Sequence, residues 1–248
     1  MSPRQINLAL ALLVLGFIGI LSLLSARLPM DNLPPEVAER FSENMIRGLM
    51  LINPTILLLV AVAIGLLLHE KVKLDVPIIR SLLAREKPVQ VASILAYGAA
   101  GGVLAGVAIL GISAGFQPSL PAEFLALNEK VQLGVATRLL YGGITEELLL
   151  RFGFMTLVVW GIFKLAKRLT PGVYGAGIVL SALVFALGHF PVVFQAVEAP
   201  SAGLLSYILL GNAAGGLVFG WLYWKKGLEA AIIAHMMTHV VMMAGEAI

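Results

Sequence analysis

The sequence predicts an all-α fold, a polytopic membrane helical bundle of about seven transmembrane helices, and three observations lead there. Hydrophobic residues fill 59% of the 248 positions, and Asp, Glu, Lys and Arg together fill only 12%; a soluble domain carries about 25% charged residues. The charges lie between long apolar runs, and about 20 apolar residues suffice to cross the hydrocarbon as a helix. Lysines and arginines are plentiful in one loop and sparse in the next, the alternation that orients helices in a bilayer.

The apolar runs cover residues 6–26, 49–69, 89–115, 131–163, 176–197, 204–224 and 228–247. The first is longer than the ~7–15-residue core of a signal peptide, so it reads as a retained helix despite the small pair Ser25-Ala26. The stretch 33–45, with a proline pair and helix-like spacing, predicts a short interfacial helix. His69 closes the second run and reads as an interfacial side chain. The third ends in Gly111-Ile-Ser113-Ala-Gly115, which resembles a nucleophile elbow, but no strand precedes it. Residues 131–163 would extend ~50 Å as one straight helix, against a hydrocarbon core of ~30 Å. That predicts a tilt or bend, with Gly142-Gly143 and Gly153 as the weak points. The pairs Gly102/Gly106, Gly211/Gly215 and Gly216/Gly220 predict close helix packing. Met236, Met237, Met242 and Met243 read as adaptable core filling. No repeat or linker divides the chain, so residues 1–248 form one membrane domain.

Charge orients the bundle. Arg4, Lys71, Lys73, Arg80, Arg85, Lys87, Lys164, Lys167, Arg168, Lys225 and Lys226 fall on one set of loops, against Arg27, Arg40, Arg47 and Lys130 on the other. The N-terminus is therefore expected inside and the C-terminus outside. The net charge of +3 sits in these loops, which argues against a nucleic-acid partner. The absence of cysteine excludes disulfides, thiolate metal sites and a Cys nucleophile. His69-Glu70 begins like a zincin motif but lacks the second histidine.

Ionisable groups inside the apolar runs are the functional candidates, because each costs about 3 kcal/mol even on the lenient insertion scale. They are Arg138, Glu146, Glu147, Arg151, His189, His235 and His239. Glu147 and Arg151 have the i,i+4 spacing of a helical ion pair. Glu146 lies about 100° further round an α-helix, with no local partner. A carboxylate held out of water without a counter-charge is a stronger base than one in water. The spacing thus gives Glu146 the chemistry and Glu147 a structural role, the alternative being a salt-bridged knot of both with Arg138 and Arg151. His235 and His239, also four apart, share one helix face. Counted from the inner ends at 1.5 Å per residue, His235 is ~10 Å deep and His189 ~20 Å deep, which predicts a cavity in the inner half to centre of the membrane.

Glu146-Glu147-x-x-x-Arg151, then Phe185-x-x-x-His189, then His235 on a late helix resembles the CAAX-protease family. That family includes Ras-converting prenyl-protein endopeptidases and bacterial abortive-infection proteins. The resemblance covers about residues 131–248, and it departs where His239 stands in place of the usual Asn or Asp. It implies an intramembrane protease in which Glu146 deprotonates water and His189 contacts that water or Glu146. His235 and His239 would donate to the oxyanion, with Glu147, Arg151 and Phe185 in support. It implies no cofactor. The extra histidine keeps open a zinc site built from His189, His235, His239 and Glu146. A catalytically silent membrane scaffold of the same fold, and a proton-coupled transporter, stay open beside the enzyme. The expected partners are membrane lipid and a membrane-associated or lipidated protein or peptide substrate, with prenylated CAAX tails among the candidates, entering from the cytoplasmic side.

Overall fold

The computed structural model describes residues 2–26, 40–87, 90–130 and 133–247. The helices are α1 (Pro3–Ser22), α2 (Glu43–Met50), α3 (Ile52–Leu68), α4 (Pro77–Leu83), α5 (Val91–Phe116), α6 (Ala122–Lys130), α7 (Thr137–Ala166), α8 (Pro171–Leu187), α9 (Phe190–Ala196), α10 (Ala202–Lys226) and α11 (Leu228–Glu246). There is no strand among the described residues. Seven helical stretches are long and apolar enough to span a membrane, one for each apolar run.

Local signals set the helix ends. Ser2 and Gln5 form a capping box, and the Ser42, Thr170 and Ser201 side chains each accept a backbone N–H of the first turn that follows. Prolines open α1, α4, α8 and α9, where no N–H is needed. Gly227, at φ 96°, makes the tight turn between α10 and α11, and a Cβ there would sit 2.7 Å from Pro77 Cγ. Of the interfacial helix expected at 33–45, residues 33–39 lie outside the described residues. Glu43–Met45 instead open α2, which continues into α3 as one span, Glu43–Leu68; the Ser42 cap and the Glu43–Arg47 ion pair (2.8 Å) start the helix there.

Burial is inverted relative to a soluble protein. Leu104 is 64% and Leu67 62% exposed, while Glu147, Arg151 and Thr145 are fully buried. Only hydrocarbon around the bundle makes that distribution favourable, and the chain is an integral, multi-pass membrane protein.

Close backbone approaches hold the spans together. Gly102 and Gly106 of α5 lie against Ala234, Met237 and Val241 of α11, while Gly216 and Gly220 of α10 meet Ala182 and Ile178 of α8. Gly211 departs from the expected packing role: it is buried, yet nothing lies within 4 Å of an added Cβ. Helix α1 is built into the bundle, since Thr145 and Thr137 of α7 donate to the carbonyls of Gly16 (2.8 Å) and Ser22 (2.7 Å). Helix α7 absorbs its length by winding wide. Thr137–Glu146 and Leu148–Met155 have the i→i+5 bonds of a π-helix, and α-turns follow from Thr156. Its glycines mark close contacts: Gly142 faces the His239 ring, Gly143 Met236 and Gly153 Ala61. His69 is buried, not interfacial, because its Nδ1 donates to the Leu74 carbonyl (3.0 Å) and its ring packs on Phe152. Ser113 neighbours Tyr207 Oη (3.5 Å), not a histidine.

The spans leave two ends. Lys226 and Gly227 mark one; Glu246, about 27 Å along α11 at 1.5 Å per residue, marks the other. Near the Glu246 end, α6, α9 and the start of α10 form a small apolar cluster of Phe124, Val193, Val197 and Leu204.

Candidate active site

Arg151 is the largest fully buried side chain. One amino group lies 3.1 Å from Glu147 Oε1, off the hydrogen-bond axis, and the other donates to the Gly216 carbonyl at 3.2 Å. The rings of Phe185 and Phe219 cover the guanidinium at 5.0 and 5.3 Å. Enclosing an arginine this completely requires a carboxylate beside it, and Glu147, four residues earlier, supplies it.

Glu147 has a second task. Its Oε1 is 2.9 Å from His235 Nδ1. A carboxylate only accepts, so Nδ1 donates, and the neutral ring carries its lone pair on Nε2. That Nε2 lies 3.9 Å from Glu146 Oε2. Phe219 and His239 stack on the two sides of the His235 ring, with centroids at 4.5 and 5.0 Å. The imidazole is therefore fixed in position and tautomer.

His189 sits in the two-residue turn between α8 and α9 rather than within a helix. Its Nδ1 donates to the Phe185 carbonyl at 2.9 Å, which again leaves Nε2 with a free lone pair. Phe185 meets His189 and His235 edge-on and covers Arg151, so one side chain braces three polar groups.

Glu146, His189, His235 and His239 line one cavity of about 200 Å³, so the structure gathers all four proposed catalytic side chains. Tyr141, Gly211 and Asn212 also line it. The sequence reading missed Tyr141 and Asn212 and took Gly211 for a helix-packing residue; only Asn212, the one amide in residues 204–224, carried a visible signal. It also missed Glu229, a buried carboxylate in the first turn of α11 whose Oε1 accepts the Ile79 N–H (2.9 Å) at the start of α4.

Two expectations are corrected. Arg138 is not part of a knot with the glutamates; its Nη1 donates to both oxygens of Glu246, at 2.9 and 2.8 Å, at the cavity rim. The cavity also runs from His235 toward Leu133, Arg138, Tyr207 and Met242, so it lies in the half of the bundle near Glu246. With the Lys226 end as the inner one, as the loop charges lead one to expect, that half would be the outer one. The depth count placed His235 alone on α11, and the cavity reaches about two turns past it, to His239 and Met242.

His189 and His235, each with Nδ1 held and Nε2 free, have the outer-shell arrangement that suits metal ligands. Yet no three His, Asp or Glu side chains converge as a ligand set among the described residues.

Residues 129–241 match one family model, described as type II CAAX prenyl endopeptidase Rce1-like. The match covers most of the helices that line the cavity, and it supports an intramembrane protease. No curated protein and no solved structure matches the chain.

Proposed function

We propose that this protein is an intramembrane endopeptidase that hydrolyses a peptide bond of a membrane-associated substrate with water activated by Glu146. The observation that carries this reading is a division of labour. Glu146 faces the cavity beside His189, His235 and His239, while Glu147 and Arg151 are sealed behind it.

In this reading Glu146 takes a proton from water, whose oxygen bonds to the scissile carbonyl carbon as the C=O pair moves onto oxygen. His189 Nε2 accepts the water's other hydrogen and orients it. The oxyanion needs donors, and they are usually worth more than any other single contribution. The amide nitrogen of Asn212 gives one hydrogen to the Ile208 carbonyl (2.9 Å) and carries a second. The His239 ring provides an N–H on the same wall. His235 joins them only once Glu146 hands the water's proton to its Nε2, since its neutral ring already spends its own proton on Glu147. Glu147, backed by Arg151, then holds the imidazolium as the carboxylate of a catalytic triad does. His235 Nε2 gives that proton to the leaving nitrogen as the C–N bond breaks, giving a carboxylic acid and an amine.

The family's description supports a prenylated CAAX-type tail as substrate. The test is cleavage of a prenylated CAAX peptide by the purified chain. Glu146→Gln should abolish it without changing the melting temperature; a variant that still cleaves would remove Glu146 from the mechanism.

A zinc-dependent reading keeps one observation in its favour, the two free Nε2 atoms of His189 and His235. Metal analysis of the purified protein separates the two readings.

A further inference from the structure

A second cavity is larger than the one that holds Glu146. A space of about 780 Å³ opens at the Lys226 end, between the start of α1, the α3–α4 connection and the α10–α11 turn. Its rim carries Arg4, Lys73, Arg80, Lys87, Lys225 and Lys226, against Glu70, Asp75 and Glu86. Two of those carboxylates are committed to Arg80, Asp75 at 3.0 Å and Glu70 at 3.8 Å. Among the described residues, Lys225 and Lys226 have no carboxylate within ion-pair distance. Aromatic faces and a hydroxyl hold them instead. Lys225 Nζ stands 3.5 Å over the Trp224 ring, which is itself stacked on Tyr174. Lys226 Nζ donates to Ser93 Oγ at 3.1 Å and stands 3.8 Å over Tyr97. Cation–π contact positions an ammonium while leaving its charge uncancelled. Apolar side chains share the lining, and of these Leu8 and Ile94 are buried.

We infer that this cavity binds a phosphate-bearing anion, in the membrane the headgroup of an anionic glycerophospholipid. Topology alone asks only for basic loops; it does not ask that they converge on a cavity or that two ammoniums be held against rings. Cationic and apolar side chains lining one cavity match a phosphodiester joined to glycerol and acyl chains. By the charge-derived orientation this end faces the cytoplasmic leaflet, where anionic lipids attract basic groups between helices. The site lies at the opposite end of the bundle from Glu146 and does not depend on the proteolytic reading.

The full chain in detergent is titrated with short-chain phosphatidylglycerol or phosphatidylcholine, and retained lipid is counted by native mass spectrometry. Phosphatidylglycerol should be retained in preference. The double variant Lys225→Gln/Lys226→Gln should weaken its retention about thirtyfold, roughly fivefold per lysine near the surface. Lys164→Gln/Lys167→Gln, at the same end but outside the cavity, should leave it unchanged and serves as the folding-matched control. Inorganic phosphate distinguishes the sources: full displacement assigns the rim to phosphate alone, and persistence assigns it to the whole lipid. Equal retention of the two lipids by the native chain, or equal loss from both double variants, would overturn the inference.

Discussion

Glu147→Gln removes one charge and almost no volume, so its effect isolates the ion pair at the centre of the bundle. Glu147 and Arg151 are both fully buried, 3.1 Å apart. With the carboxylate neutralised, the guanidinium keeps the Gly216 carbonyl and the faces of Phe185 and Phe219, none of which carries a full negative charge. Removing one partner of a buried pair costs about 3–5 kcal/mol. In a chain of this length, each kcal/mol lowers the melting temperature by about 2–4 °C, so a fall on the order of 6–20 °C is expected. Glu146→Gln is the matched comparison: its side chain faces the cavity, and its one partner within ion-pair distance among the described residues is the neutral His235 ring, whose Nε2 is 3.9 Å away, beyond hydrogen-bond reach. It should melt like the native protein and lose cleavage. Thermal unfolding in detergent, run beside the peptide assay, reads both. A Glu147→Gln variant that melts with the native chain, or a Glu146→Gln variant that melts as early, would refute the division between the two glutamates.

Three further outcomes are expected. His239→Asn should keep most of the activity and be indifferent to chelator, because an amide can donate where the ring did; zinc bound one to one in the native chain and lost with activity in the variant would favour the metal reading. A reporter fused after Lys226 should lie inside and one fused after residue 248 outside, which also fixes the compartment facing the cavity mouth; both on the same side would defeat seven spans. Gly216→Ala should destabilise by about 1–3 kcal/mol through overpacking, since its Cβ would stand 2.8 Å from Ala182 Cβ. Gly211→Leu should instead keep the native melting temperature and raise KM by filling the cavity, and a melting loss there would place Gly211 in a helix contact.

What was legible in the sequence is what depends on one helix at a time. Seven spans follow from hydropathy, and the Glu147–Arg151 pair from a spacing that survived even the change to wide turns. Gathering Glu146, His189 and His235 needed the ordered resemblance as well, because periodicity says nothing about which helices meet. The parts that were not legible are set by crossings. His235 meets Glu147 across 88 residues only because α11 lies close to both α5 and α7, and that approach rests on Gly102, Gly106 and Gly143 having no side chain. His69 was read as interfacial since it ends a run, but Phe152 of α7 and the Leu74 carbonyl cover it. The depth of the cavity failed for a related reason: counting along α11 places His235, but not how far the cavity reaches past it to His239 and Met242. Where the two wide-wound stretches of α7 meet, the two glutamates stand on either side of His235, one behind its Nδ1 and one before its Nε2. A winding hard to foresee from propensity thus carries the one contact on which the proposed proton transfer depends.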